Sequence, residues 1–411
     1  MTRRPSRLRR GLLGALATVG LLAAACSSSG TSTSTSGSGS PAGNAPPKLT
    51  ALAKIGKGEG ALNIIAWAGY AENGSNDPKV NWVGPFEQQT GCKVNVKIGN
   101  TSDEMVQLMK TGEYDGVSAS GNATLRLIYG GDVSPVNLKL LTNYPDISPF
   151  LKMTKYNSVN GIPYGIPHGW GANLLMWNPS VVKTPPDSWS VVWEKNSPYK
   201  GKLTAYDDPI YIADAALYLM KTQPSLGIKN PYALDQTQFN AAIDLLKQQK
   251  ANVGEYWSDY LKAQDAFQKG SLVLGTTWQV IANLINQTKA GTVETVLPKE
   301  GSTAWSDTWM ISSKAKHPNC MYMWMNYITS PSVQSQVAQW FGEAPANPKA
   351  CAYIAKTDAT FCKTYHVTDA AFAAQLWYWT TPTKHCLDDS GKNDCMDNQQ
   401  WTDAWNDLRA S

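Results

Sequence analysis

From residue 61 onward the apolar positions come in short runs whose period changes from segment to segment. "ALNIIAW" (61–67) is a brief apolar run ending on an aromatic, and "GYAENGSNDP" after it has loop composition. "VNWVGPFEQQTG" carries apolar residues at helical spacing and stops at Gly91, whereas "CKVNVKI" alternates with period two. "SDEMVQLMKTG" is a helix, with Ser102 as its N-cap and Gly112 beyond its end. "YDGVSAS" then returns as a strand. Repetition of strand, helix and strand predicts an α/β fold with a mainly parallel sheet, and such sheets bind ligands off the carboxyl ends of their strands.

The same rhythm continues through "GANLLMWN", "GKLTAYDD" and "GSLVLGTTW", and "STAWSDTWMIS" stands before the last two helices. Between and after them lie the helices "PIYIADAALYLMKT", "DQTQFNAAIDLLKQQK", "QVIANLINQTKAG", "CMYMWMNYIT" and "SVQSQVAQWFG". Trp67, Trp278 and Trp305 fall at strand ends or in the loops that follow, on the expected ligand side. No repeat of solenoid period is present.

Residues 1–60 follow different rules. Five arginines (Arg3, Arg4, Arg7, Arg9, Arg10) precede the apolar run "GLLGALATVGLLAAAC", the pattern of an export signal over 1–25. The small residues before Cys26 mark that cysteine as the lipidated first residue of a lipoprotein. Leu22 stands four residues before it, where such signals more often place the aliphatic residue three before. Residues 26–56 are so rich in Ser, Thr and Gly that they have little to bury, so they read as a tether of about 25–30 Å reach. The folded part is expected from about Lys57.

Removing the five arginines from 36 Lys+Arg leaves 31 against 32 Asp+Glu, a nearly neutral mature chain. That weakens a nucleic-acid reading, which would need a basic patch and a domain of high pI. The length remaining favours two domains, and the 16 Trp and 18 Tyr against 7 Phe favour aromatics with a polar handle. Besides Cys26, the even set of six cysteines in an exported chain predicts three disulfides. Of fifteen pairings, spacing favours Cys351 with Cys362, Cys386 with Cys395, and so Cys92 with Cys320. No C-x-x-C pair and no ligand-spaced histidines point to a metal.

Catalytic motifs are missing: there is no G-x-S-x-G, P-loop, H-E-x-x-H or G-x-G-x-x-G. His168 in "GIPHGWG" lacks an evident partner, and Asp207 and Asp208 would point to opposite faces of a strand. A binding reading does better. Asp307 between Trp305 and Trp309 offers a carboxylate and aromatic faces, the combination that holds a cationic amine. Trp67, Tyr70 and Trp278 extend it toward a lined pocket.

"IIAWAGY", "TSDEMVQLMKTGEYDGV", "YDDPIYIADA", "LPKEGSTAWSDTWMI" and the helix before "FGEAPANP" resemble, in order and over nearly all of residues 60–411, the spermidine/putrescine-binding proteins of ABC importers. The resemblance is closer still to a subgroup with "SDEMV", "YIADAAL" and "PKEG", one branch of which is linked to polyhydroxybutyrate synthesis. It implies a type II periplasmic-binding-protein fold, two α/β lobes joined by a hinge with ligand between them. The lobes would be 58–170 plus 310–345, and 171–309 plus 346–411. Crossings are then expected near Gly169–Asn178, near Asp307–Ser313 and after Gly342.

Matched to the family's motifs, Trp67 and Tyr70 are the first aromatic pair and Ser120 the serine after the "YD" strand. Asp208 is an amine-binding acid, Trp278 ends its strand, and Trp305 with Asp307 forms the W-x-D that grips an ammonium. Three positions depart: Gly69 replaces a glutamate, Tyr211 a second acid, and Glu343 a tyrosine. Glu343, Glu72 or Asp77 would have to restore the missing charge. The resemblance implies no enzyme activity and no cofactor. It implies a monomeric lipid-anchored receptor outside the cell membrane or in the periplasm, which hands a small cationic amine to membrane permease subunits. Another polar solute, a quaternary amine or a sugar, is the alternative binder; an extracytoplasmic polyhydroxybutyrate synthase or esterase is the enzymatic one.

Overall fold

The computed structural model describes residues 45–411; the signal segment, Cys26 and most of the tether lie outside the described residues. Leu62, Ile64 and Ile65 sit at the centre of a parallel arrangement because both faces of Ala61–Ala66 are covered, which explains a continuous apolar run. That strand pairs in parallel with Lys93–Ile98 on one side and Gly116–Ser120 on the other. The helix Ser102–Lys110 connects them. Its N-cap is Thr101 rather than Ser102: the Thr101 side chain accepts from the Glu104 amide, while the Ser102 hydroxyl donates to Asn122.

The full sheet has seven strands. Beyond Gly116–Ser120 come Ser302–Ile311, Ile166–Ala172 and Ala344–Pro345, all joined antiparallel, and Leu376–Tyr378 pairs in parallel with the start of Ser302–Ile311. A second sheet of five strands runs Glu294–Val296, Leu174–Trp177, Leu274–Thr277, Leu203–Tyr206, Val253–Trp257. Both sheets are therefore mixed, parallel where helices cross over and antiparallel at the strands that link them. An α/β architecture is what the alternating periods required.

Chain passes from the first sheet to the second at Asn173, between Ala172 and Leu174. It returns across residues 297–301, and Ser302–Ile311 then runs unbroken in the first sheet. The crossing read at Asp307–Ser313 is thus displaced upstream, and Trp305 lies inside a strand rather than at its end. Because all ten residues of Ser302–Ile311 are buried, no polar alternation marked where it began. Residues 346–367 pack into the core of the first sheet through Ala346, Ala350, Ile354 and Val367, although the sequence reading grouped them with the second lobe. Leu52 and Ile55, upstream of Lys57, also pack there.

The three disulfides are Cys92–Cys320, Cys351–Cys362 and Cys386–Cys395, the pairing that spacing favoured. Among the described residues the one cluster of metal-type ligands is Cys386, Asp394 and Cys395, whose thiols are consumed by the last of these bonds. Gly275 stands inside a strand at φ +145°, and a Cβ there would lie 2.2 Å from the Thr204 carbonyl oxygen. Gly275→Ala is expected to cost about 2–3 kcal/mol of stability, read as a lowered urea midpoint. An unchanged midpoint would mean that the neighbouring strand can withdraw freely.

Candidate functional site

Asp307 lies in the middle of Ser302–Ile311, opposite Ser120 on one neighbouring strand and Gly169 on the other. A spacing of two puts Trp305 and Asp307 on one face of the strand, and a bulge follows between Asp307 and Thr308. The Ser120 hydroxyl donates to one carboxylate oxygen of Asp307. Tyr70 Oη lies 2.6 Å from the other, and the indole N–H of Trp67, which has no closer partner, points to the same group. Burial pushes the Asp307 carboxyl up to about 6, and the bonds from Ser120 and Tyr70, with the nearby Trp67 N–H, pull against it.

Glu343 arrives from the opposite direction. Helix Pro331–Phe341 ends on Gly342 at φ +84°, and the chain then joins Ile166–Ala172 through Ala344 and Pro345, which pair with Trp170 and Gly169. Gly169 has no Cβ, and the Glu343 carboxyl occupies the space one would fill: the built Cβ falls 2.0 Å from Oε2. Glu343 Oε2 is 2.7 Å from Tyr70 Oη, and Oε1 is 3.5 Å from Nε2 of His168. Burial, then the nearby Asp307 charge, raises the Glu343 carboxyl well above the ordinary range. His168 is pushed the other way, to about 3, by burial, so its imidazole is neutral and makes no ion pair.

The aromatic wall is built by the same strand. Trp305 lies over Gly171, whose Cβ would sit 2.7 Å from the indole ring, so "GWG" admits a carboxyl at one glycine and an indole at the other. Trp278 stands 6.0 Å from Trp305, centroid to centroid, and is fixed by donating its indole N–H to Asn173 at 2.9 Å. A pocket opens between Trp170, Trp278, Trp305, Tyr365 and Phe372, with Glu343 in its wall. Phe341 packs between Tyr70 and this wall, 4.4 Å from the Tyr70 ring and 6.2 Å from the Trp305 ring.

The structure thus brings together Trp67, Tyr70, Ser120, Trp278, Trp305, Asp307 and Glu343. Asp208 is elsewhere: it caps the turn Pro209–Tyr211 and opens on a different pocket beside Asp103, Asn122 and Arg126. Tyr211 packs on Trp193 in the second core and accepts from Gln249, so its position in the sequence motif does not place it in the pocket. Trp309 is core, 5.7 Å from Trp324 and beneath His168, and does not flank an open site. Of the three compensating acids, Glu72 accepts from Asn76 and Asp77 caps a turn at Lys79; Glu343 alone reaches the Tyr70 hydroxyl that also bonds Asp307. Sequence reading missed Gly169, Gly171, Asn173 and Phe341, for which the alternating glycines of "HGWGAN" were the available signal.

These groups make the ligand-free protein sensitive to pH. Carboxyls held above their ordinary range stabilise the fold at low pH and lose that contribution as pH rises through their folded values. Asp307, raised from 3.8 to about 6, loses about 3 kcal/mol over that interval. His168 works in the opposite sense, its neutral form favouring the fold above 6.5 and opposing it as pH falls toward 3. Between about pH 4 and about pH 6, Asp307→Asn is expected to make the melting temperature fall less, or rise more, with increasing pH than it does in the parent protein. An identical slope in the variant would remove Asp307 as its source.

Residues 81–374 match the family of bacterial extracellular solute-binding proteins. The spermidine/putrescine-binding periplasmic protein of Escherichia coli K12 is 28% identical over 301 residues, covering 70% of this chain and 82% of that protein. Among solved structures, the spermidine/putrescine ABC transporter substrate-binding protein PotD from Streptococcus pneumoniae superposes with a TM-score of 0.64 at 20% identity, over 85% of this chain and 97% of that one. A lipoprotein of Treponema pallidum gives 0.62 at 18%, over 85% and 100%. The fold is that of the periplasmic binding proteins, the disulfides suit an exported chain, and the family binds solutes rather than transforming them. With a match across most of its length, this chain belongs to the bacterial extracellular solute-binding proteins.

Proposed function

We propose that this protein is the receptor of an ABC importer for a small cationic amine, of the class that includes putrescine and spermidine, and that it delivers its ligand to membrane permease subunits. The observation that carries the reading is Asp307: a carboxylate only 2% exposed, held by Ser120 and Tyr70 beside a tryptophan wall. Among the described residues, no lysine or arginine forms an ion pair with it or with Glu343. A buried acid in that setting is poised for a cation supplied from outside, through charge-assisted hydrogen bonds and cation–π attraction. The relatives named for polyamine binding support the choice of cation.

In this reading the two sheets form the two lobes, with Asn173 and residues 297–301 as hinge segments. Cys26 anchors the protein by its lipid to the outer face of the membrane, and the tether gives the lobes reach. A panel of putrescine, spermidine, cadaverine, choline and a sugar, each followed by thermal unfolding, tests the assignment. A ligand at a hundred times its dissociation constant adds about 2.7 kcal/mol. Trp278→Ala and Trp305→Ala are each expected to weaken amine binding about tenfold or more. Affinity unchanged in both would place the ligand away from this wall.

A further inference from the structure

We propose that the site grips one ammonium head between two carboxyls, Asp307 and Glu343, and releases one proton when it does so. The inference rests on the amine-receptor reading and narrows it. Tyr70 Oη lies 2.6 Å from Asp307 and 2.7 Å from Glu343, yet a phenol carries a single hydrogen. It can donate to one carboxylate only. Two oxygens 2.7 Å apart need a hydrogen between them, so the second one must come from a carboxylic acid.

The surroundings say which acid holds it. Asp307 has the Ser120 hydroxyl and the Trp67 N–H directed at it besides Tyr70, all of which favour an anion. Glu343 has only Tyr70 and, at 3.5 Å, a buried neutral His168. In the ligand-free arrangement Glu343 is therefore the acid, donating to Tyr70 Oη, while Tyr70 donates to Asp307. The other titratable groups facing the pair are Tyr156 and Tyr206 near Asp307 and Tyr365 near Glu343, none of which is charged near neutral pH.

An arriving ammonium replaces the Tyr70–Glu343 contact. The Glu343 O–H bond breaks, its proton leaves to solvent, and two carboxylates then accept from one cationic head. The pocket whose wall includes Glu343 is the way in. Both carboxyls converge on a single hydroxyl, so they are too close to serve the two ends of an extended diamine. Among the described residues lining that pocket a second ligand charge finds no acid besides Glu343, and Asp208 opens on another pocket, beside Arg126. The ligand class is an amine recognised through one head, whatever its tail carries.

Butylamine and putrescine share a four-carbon chain and differ in one charge, which makes them the probes. Each is titrated calorimetrically into the purified protein at about pH 7, in phosphate and in Tris, whose ionisation enthalpies differ widely. The expected result is about one proton released per amine bound, with butylamine within about tenfold of putrescine and Asp208→Asn leaving both affinities unchanged. Glu343→Gln, isosteric with the protonated acid, should bind more weakly and release no proton. Binding with no buffer dependence, or putrescine more than a hundredfold tighter than butylamine, would overturn the proposal. If neither amine binds, the receptor reading falls, and this inference with it.

Discussion

Replacing Asp307 by asparagine is expected to lower amine affinity by at least about a hundredfold while leaving the empty protein as stable as before, or more so near neutral pH. Breaking a buried ion pair by removing one partner costs about 3–5 kcal/mol, because the remaining charge has no water to return to. A bound ammonium would meet that cost in full. The empty protein meets the opposite situation. The introduced amide keeps an oxygen for Ser120 or Tyr70 and no longer carries a charge that burial disfavours. Titration calorimetry and thermal unfolding on the same preparation separate the two effects. A variant that loses stability and affinity together would show that Asp307 holds the strand rather than the ligand.

Removing the Cys92–Cys320 disulfide by double alanine substitution is expected to be the most damaging change outside the site. The bond joins the residue before the strand Lys93–Ile98 to the helix Pro318–Ile328 across 228 positions, and both cysteines are fully buried. On the chain-entropy estimate a loop of that length is worth about 5 kcal/mol, against about 3 kcal/mol for the bonds Cys351–Cys362 and Cys386–Cys395. Urea unfolding of the three double variants should rank them in that order. Equal losses would mean that the unfolded chain is already held close in this region by other contacts.

The periods of Lys93–Ile98 and Ser102–Lys110 were legible because each leaves one side exposed, so period two and period 3.6 are distinct. Ser302–Ile311 was located but not delimited, since a strand buried on both faces shows no alternation and hides its own ends. Local chemistry also left the helix cap open by one residue: Thr101 and Ser102 are both able caps, and Asn122, twenty residues on, draws the serine away. Trp305 and Asp307 were readable as neighbours because a spacing of two on a strand fixes a shared face. Trp309 and Tyr211 carry the same local signals as the pocket aromatics, and only distant partners, Trp324 and Gln249, place them in cores. Glu343 meets Tyr70 across 273 residues, a pairing that no window along the chain displays. Its need for space was written nearby in Gly169, which is intelligible once the carboxyl is seen above it.

The decisive measurement is calorimetric titration of the wild-type protein and Asp307→Asn with putrescine, spermidine and butylamine, with a neutral sugar at the same ionic strength as control. An amine receptor built on Asp307 gives saturable one-to-one binding of at least one amine to the wild type, a loss of a hundredfold or more in the variant, and no heat from the sugar. Equal amine affinity in the two proteins, or binding of the sugar alone, would contradict it.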